Sequence, residues 1–300
     1  MRLTSTIVVV SAVTANAFSL ADASEYSNGA LEAIRRAIPA LSERSGGDGG
    51  CPAIWTQIAA TLQPLFLDTT VSPSQCNDDA RAAIREAFHD AGTWDQSQGI
   101  TGGADGSLIN TMNLTTITNG VPDRELSRGE NGGLTDISKK LQALQKSTFP
   151  SVSIADLIQF AASVAIVTCP GGPQIKTFVG RKDSNHPAPP GGLPSVHADA
   201  SSLFNLFLAK GFTANELAAL LGAHSTSKSF GQLDLMHPGT PQDSTPGIWD
   251  VKYYQDTLSP PASGTPFPSD TSLAAHPVVG KEFHGFIGSQ GKWSSAFGSA

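Results

Sequence analysis

Along most of this 300-residue chain apolar residues recur every three or four positions, a spacing that commits it to helix. The pattern predicts helices over 30–41, 52–67, 79–91, 136–145, 154–167, 200–209 and 214–223. Alternation with period two is scarce, and its best case, 174–179, is short, so strands are a minor component. A loop dense in Pro and Gly over 185–194 divides the helices into an N-terminal and a C-terminal group. Hydrophobic residues make up 39% of the chain and charged ones 15%, which fits one large or two smaller globular domains. The expected architecture is mainly α with minor short β. Two helical halves would enclose a cleft, the place where helical proteins bury cofactors.

The charge balance excludes some partners. Lys and Arg number 19 against 26 Asp and Glu, and the resulting −7 offers nothing to nucleic acid and disfavours anionic membranes. Arg2, the apolar run from Ile7 to Val13 and the small residues of Ala15-Asn16-Ala17 read as a secretory signal over 1–17. That run is too short to span a bilayer, so 18–300 is expected as a secreted, extracellular domain. Asn113-Leu114-Thr115 forms a glycosylation sequon, in keeping with secretion. Cys51, Cys76 and Cys169 allow three pairings, each leaving one thiol over, and lie too far apart for a compact zinc site.

Chemistry concentrates in Arg85-Glu86-Ala87-Phe88-His89-Asp90. On a helix Arg85, Phe88 and His89 project from one face, while Asp90 points about 100° away from His89. A cation, a base and an aromatic wall on one face suit chemistry on a small polar molecule; a carboxylate turned aside suits a structural cation. Asp78 or Asp79 is expected to cap this helix and Gly92 to close it.

His224 closes a second helix, sharing a face with Leu217, Leu220 and Leu221. Such a His is either a satisfied core residue or an axial ligand of haem iron, which needs an imidazole in an apolar wall with a carboxylate on its other nitrogen. Ala219, Gly222 and Ala223 would let a flat macrocycle lie close. Each His-bearing helix is followed by an oxygen-rich loop, Gly103-Ala104-Asp105-Gly106-Ser107 after the first and 243–250 after the second. Hard oxygen donors on short loops are what calcium prefers.

In these motifs the chain resembles the haem peroxidases of the plant–fungal superfamily, in particular the secreted fungal class of lignin, manganese and versatile peroxidases. The resemblance spans roughly Cys51 to His284 and rests on motifs in the family's order: Arg85-x-x-Phe88-His89-Asp90, Glu125 with Asn131, Leu221-Gly-Ala-His224-Ser225, and Ser269-Asp270-x-x-Leu273-Ala274. It implies the haem peroxidase fold, one domain with a distal half over about 18–185 and a proximal half over about 186–300. It implies haem b with His224 on the iron and Asp270 behind it. His89 would be the acid–base group, oriented by Asn131, with Arg85 stabilising charge as the O–O bond breaks, and Phe88 and Glu125 in support. Two Ca2+ ions are implied, one on Asp90, Gly103, Asp105 and Ser107, the other on Ser225, Asp243, Thr245, the Ile248 carbonyl and Asp250. Cys76 and Cys169 fall where the family has a disulfide. The implied reaction is hydrogen-peroxide-dependent, one-electron oxidation of small aromatic donors at the haem edge through a ferryl intermediate, by a monomer.

The chain also departs from that pattern. Of the three acidic positions of manganese-oxidising members, at 78, 82 and 230, only Asp78 is acidic; Ala82 and Phe230 fill the others. Where lignin-type members carry an exposed Trp, five residues before the proximal His, Ala219 stands. Phenols of low molecular weight are therefore the expected donors. No Cys follows Cys169, which leaves Cys51 without its expected partner. Gln242 replaces the aromatic that lies under the haem.

Overall fold

In the computed structural model, residues 6–9, 51–99, 102–115, 117–118, 121–229 and 238–300 are described. Among them are eleven α-helices. They are α1 (Ala53–Phe66), α2 (Asp78–Ala91), α3 (Ser107–Asn110), α4 (Thr135–Ser147), α5 (Ile154–Thr168), α6 (Ala200–Ala209), α7 (Ala214–Leu221), α8 (Lys252–Leu258), α9 (Pro268–Ala275), α10 (Val279–His284) and α11 (Gln290–Ser299). The helix predicted over 30–41 lies outside the described residues.

Four of the helices start where a side chain satisfies one of the first free N–H groups. Asn77, rather than Asp78 or Asp79, caps α2: its side chain accepts from Ala80 N at 3.1 Å while its own amide donates to Leu65 O at 2.8 Å. The two aspartates instead occupy the first turn, where the helix dipole favours negative charge. Ser153 caps α5 and Asp199 caps α6. Thr213 and Glu216 form a capping box on α7. That helix ends at Leu221, so His224 lies in a 3-10 turn, Gly222–Thr226, and not on the α-helix itself.

The helices form two groups. In the first, α5 is the central rod, almost wholly buried, and α1, α2 and α4 pack around it. In the second, α7 is flanked by α6, α10 and α11, with α9 against α6, α8 and α10. The groups meet where the chain beyond α2 docks on the end of α6. There Phe88 stacks on Phe207 at 6.3 Å, Gln96 N donates to Ala209 O at 3.1 Å, and Lys210 Nζ donates to Trp94 O at 2.9 Å.

The helices over 252–299 were not expected from periodicity. They are seven, eight, six and ten residues long. Such segments hold only two or three turns, too few for a 3.6-residue pattern to stand out.

Strands occur only as two-stranded ribbons among the described residues. The strand expected over 174–179 is realised as Lys176–Val179, and the backbone of Thr6–Val9 pairs antiparallel with it. Those four residues are the described part of the stretch read as a secretory signal. No described helix is long and apolar enough to cross a membrane. Cys76, at the start of α2, is bonded to Cys169, at the end of α5, 93 residues apart. Closing a loop of that length restricts the unfolded chain by about 4–5 kcal/mol in the chain-entropy account. Cys51 is free.

Candidate active site

Arg85, Phe88 and His89 stand together on one face of α2. Arg85 Nε donates to His89 Nε2 at 3.2 Å, and the ring centres of Phe88 and His89 lie 5.9 Å apart with their planes at 80°. On the other side of the imidazole, His89 Nδ1 is 2.7 Å from Asn131 Oδ1. The Asn131 amide is oriented by its own donation, Nδ2 to Glu125 O at 2.7 Å. Its oxygen must then accept, which places the proton of His89 on Nδ1 and the lone pair on Nε2. Burial, and secondarily the charge of Arg85, lower the His89 pKa to about 3, against the opposing pull of Asn131. The imidazole is thus neutral across ordinary pH.

Sequence reading missed how Arg85 is held. Its two terminal nitrogens donate to Gly132 O and Glu130 O, both at 2.7 Å. Gly133 has φ +86, and an added Cβ would sit 3.6 Å from the guanidinium. The Glu-Asn-Gly-Gly run is the signal that carried this turn. Burial lowers the Arg85 pKa to about 10, so the group stays charged. The Glu125 carboxylate accepts from Ala188 N at 2.9 Å, tying this layer to the Pro-rich loop between the halves.

His224 presents the opposite arrangement. Its Nδ1 lies 3.1 and 3.2 Å from the two oxygens of Asp270, a fully buried carboxylate on α9. Tyr253 and Phe267 stand edge-on to the ring at 5.9 and 5.4 Å. Nε2 has no partner among the described residues, and the side chain keeps 33% of its exposure. An imidazole backed by a carboxylate, walled by aromatics and bare at its outer nitrogen is the donor arrangement of an axial metal ligand. The residues present therefore fit haem.

A buried acid stands at each of the two oxygen-rich loops. Asp90 is fully buried, accepting from Gly106 N at 3.0 Å and Leu108 N at 3.4 Å, and burial raises its pKa well above the ordinary value. Asp105 and Glu125 add negative charge beside it, and the buried Ser107 hydroxyl lies against the Glu125 carboxyl. The Gly103 carbonyl, also expected as a ligand, accepts from Asp105 N at 2.8 Å. In the second loop, Asp243 Oδ2 and Ser225 Oγ are buried without partners among the described residues. Thr245 bridges Asp243 and Asp250, its N–H to the first at 2.9 Å and its hydroxyl to the second at 3.0 Å. The Ile248 N–H donates to Thr245 O at 2.9 Å. Burial pushes the Asp243 carboxyl up to about 8. Buried acids and hydroxyls left short of donors are what a hard cation would satisfy. Among the described residues no three acidic, His or Cys side chains are placed to hold a metal ion together, so carbonyls and hydroxyls would have to complete either shell.

The departures from the family pattern also have a physical form. Asp78 is neutralised by Arg81 at 2.5 Å and Lys228 at 3.0 Å. Ala82 is partly buried, and Phe230 lies outside the described residues. Ala219 is fully buried, and Trp293 donates its indole N–H to Ala219 O at 2.9 Å. Gln242 is buried with both amide atoms unpartnered among the described residues. Asn113 is exposed in a 3-10 turn.

The profile of the family described as "Peroxidase" matches residues 59–288. A "Peroxidase" of Arthromyces ramosus is 33% identical over 239 residues, 73% of this chain and 60% of the relative. "Manganese peroxidase 3" of Phlebia radiata is 29% identical over 297 residues, 90% of this chain and 78% of the relative. "Ligninase H2" of Phanerodontia chrysosporium is 34% identical over 256 residues, 80% of this chain and 63% of the relative. The chain spans about three-fifths of the length of the Arthromyces relative. With a profile that takes in both the Arg85–His89 layer and the His224–Asp270 pair, the chain belongs to the peroxidase family of the plant–fungal superfamily and has the haem peroxidase fold.

Proposed function

We propose that the chain is a secreted, calcium-stabilised haem peroxidase, using hydrogen peroxide to oxidise small phenolic or similar aromatic donors. The observation that carries this reading is the orientation chain from Glu125 O through Asn131 to His89 Nδ1, which leaves Nε2 as a neutral base beside a fixed guanidinium. His224 would hold haem b, whose iron would supply the site that binds peroxide and takes up its oxidising power. His89 Nε2 then accepts the proton of the incoming peroxide and returns it to the departing oxygen as water. Arg85 faces that oxygen with a full charge in a low-dielectric pocket, where such a charge acts most strongly. Asp270, accepting from His224 Nδ1, increases the basicity of the ligating nitrogen.

Asp90, Gly103, Asp105 and Ser107 would hold one calcium ion. Ser225, Asp243, Thr245, Ile248 and Asp250 would hold the other. Each ion pins the segment that carries one of the two histidines. The exposed Asn113 is a glycosylation acceptor in this reading, and 1–17 a leader that directs secretion.

The supporting test is spectroscopic. Purified protein supplied with haem should show a Soret band that shifts on adding hydrogen peroxide and returns on adding a phenol. A protein that binds no haem would sink the reading.

A further inference from the structure

The second helical group contains a column of oxidisable rings that the proposed chemistry does not use. The edge of Tyr253 meets His224 at 5.9 Å, and Tyr253 meets Tyr254 at 5.1 Å. Tyr254 meets Trp293 at 5.9 Å, and Trp293 stacks on Trp249 at 5.3 Å with their planes 12° apart. Each distance is a ring contact, so the column from His224 to Trp249 is continuous. All four rings are fully buried. Phe283, Phe286 and Phe297 pack around them, at 4.7 Å and 5.4 Å from Tyr254 and 4.8 Å from Trp249.

Packing alone does not account for this choice of side chains. The Trp249 indole N–H is buried without a hydrogen-bond partner among the described residues. An unsatisfied buried polar group costs stability, and Phe would fill most of the same space without that cost. What Trp and Tyr offer over Phe is a ring that gives up an electron far more readily.

We propose that the stacked Trp249–Trp293 pair is an internal one-electron reservoir, connected to the proximal histidine through Tyr253 and Tyr254. The inference rests on the haem reading above. One electron leaves the indole pair, passes by way of the two tyrosine rings and His224, and reduces the peroxide-oxidised haem by one equivalent. The pair is left as a cation radical shared over two parallel rings. Trp293 keeps its N–H donated to Ala219 O, so no proton has to leave. Because both indoles are fully buried, donors cannot touch the pair. It therefore stores an oxidising equivalent when no donor is at hand, and is not a surface site for bulky substrates.

The test uses haem-loaded full-length protein, mixed with a stoichiometric amount of hydrogen peroxide without donor, freeze-quenched and examined by electron paramagnetic resonance. The expected signal is an organic radical whose hyperfine pattern changes when the protein carries ring-deuterated tryptophan. It should be lost in the Trp249→Phe, Trp293→Phe double variant while the peroxide-induced Soret shift persists. A radical insensitive to tryptophan deuteration, or one intact in the double variant, overturns the proposal. Should that variant not fold, the deuteration comparison in the unaltered chain decides by itself. Absence of any Soret shift in the unaltered protein would sink the haem reading, and this inference with it.

Discussion

His89 is a base because of what surrounds it. Burial and Arg85 remove any tendency to hold a second proton, and Asn131 fixes the first on Nδ1. Replacing it by Ala removes both proton transfer and the acceptor of the Arg85 Nε–H. The peroxide-induced Soret shift of His89→Ala should slow by about 10²–10⁴-fold in stopped flow, and a rate within about tenfold of the parent would refute the assigned role. Three residues earlier stands a group with the opposite displacement. Glu86 is fully buried, accepts from the Ser138 hydroxyl, and has its second oxygen unpartnered among the described residues. Burial raises its pKa from an ordinary 4.5 to about 8, with Ser138 opposing. The folded chain therefore holds a proton here that the unfolded chain gives up above 4.5, so stability falls as pH rises from 4.5 through about 8. The slope is at most about 1.4 kcal/mol per pH unit. In Glu86→Leu, Ser138 keeps its bond to Leu134 O at 2.9 Å. The thermal midpoint of that variant should gain most over the parent near pH 8 and least near pH 4. An equal gain at both would show that Glu86 does not titrate in this window.

At the scale of elements, α2 is the part on which everything else is aligned, and its start is fixed by Asn77 rather than by charge. Asn77→Ala loses the cap and the tie to Leu65, so the protein should lose about 1–2 kcal/mol in denaturant unfolding. Asp79→Ala should lose far less, because Asp79 is engaged with Lys140 in an exposed pair at 2.6 Å. A reversed order would mean that Asp79 caps the helix after all. The helix itself was legible in the sequence, since Arg85, His89 and Asp90 sit at spacings with a single helical reading. Its cap was not: three consecutive residues, Asn77, Asp78 and Asp79, are each competent caps, and only packing against Leu65 O selects one. His224 was legible as a ligand candidate but not as lying in a 3-10 turn, because Leu217 to Leu221 and Gly222 to His224 share one apolar pattern. The carbonyls that hold Arg85 could not be read from side chains at all, being backbone atoms of a turn. The 252–299 helices escaped for the related reason that their order comes from tertiary contacts with α7 and with one another.

Across the whole molecule, each half carries one of the two site histidines, His89 and His224, and in the proposed function a calcium site fixes each half. Ser225 Oγ and Asp243 Oδ2 are buried with no partner among the described residues. Thorough chelation should lower both the thermal midpoint and turnover of haem-loaded protein, and added Ca2+ should restore them. Unchanged values after chelation would remove both sites. The same large-scale geometry limits where electrons can enter. Asp78, which alone of positions 78, 82 and 230 is acidic, is already paired with Arg81 and Lys228, so a manganous ion meets two cations at that place. Ala219 is closed off beneath Trp293 and cannot present a surface ring even after substitution. In the proposed function the remaining route is the haem edge. Steady-state turnover with peroxide should therefore be high for a small phenol and near background for Mn(II) and for a bulky non-phenolic aromatic. Lys228→Ala should not create Mn(II) turnover, because Ala82 still supplies no carboxylate. Saturable Mn(II) oxidation by the unaltered protein would show that electrons enter by a route other than the one this geometry leaves open.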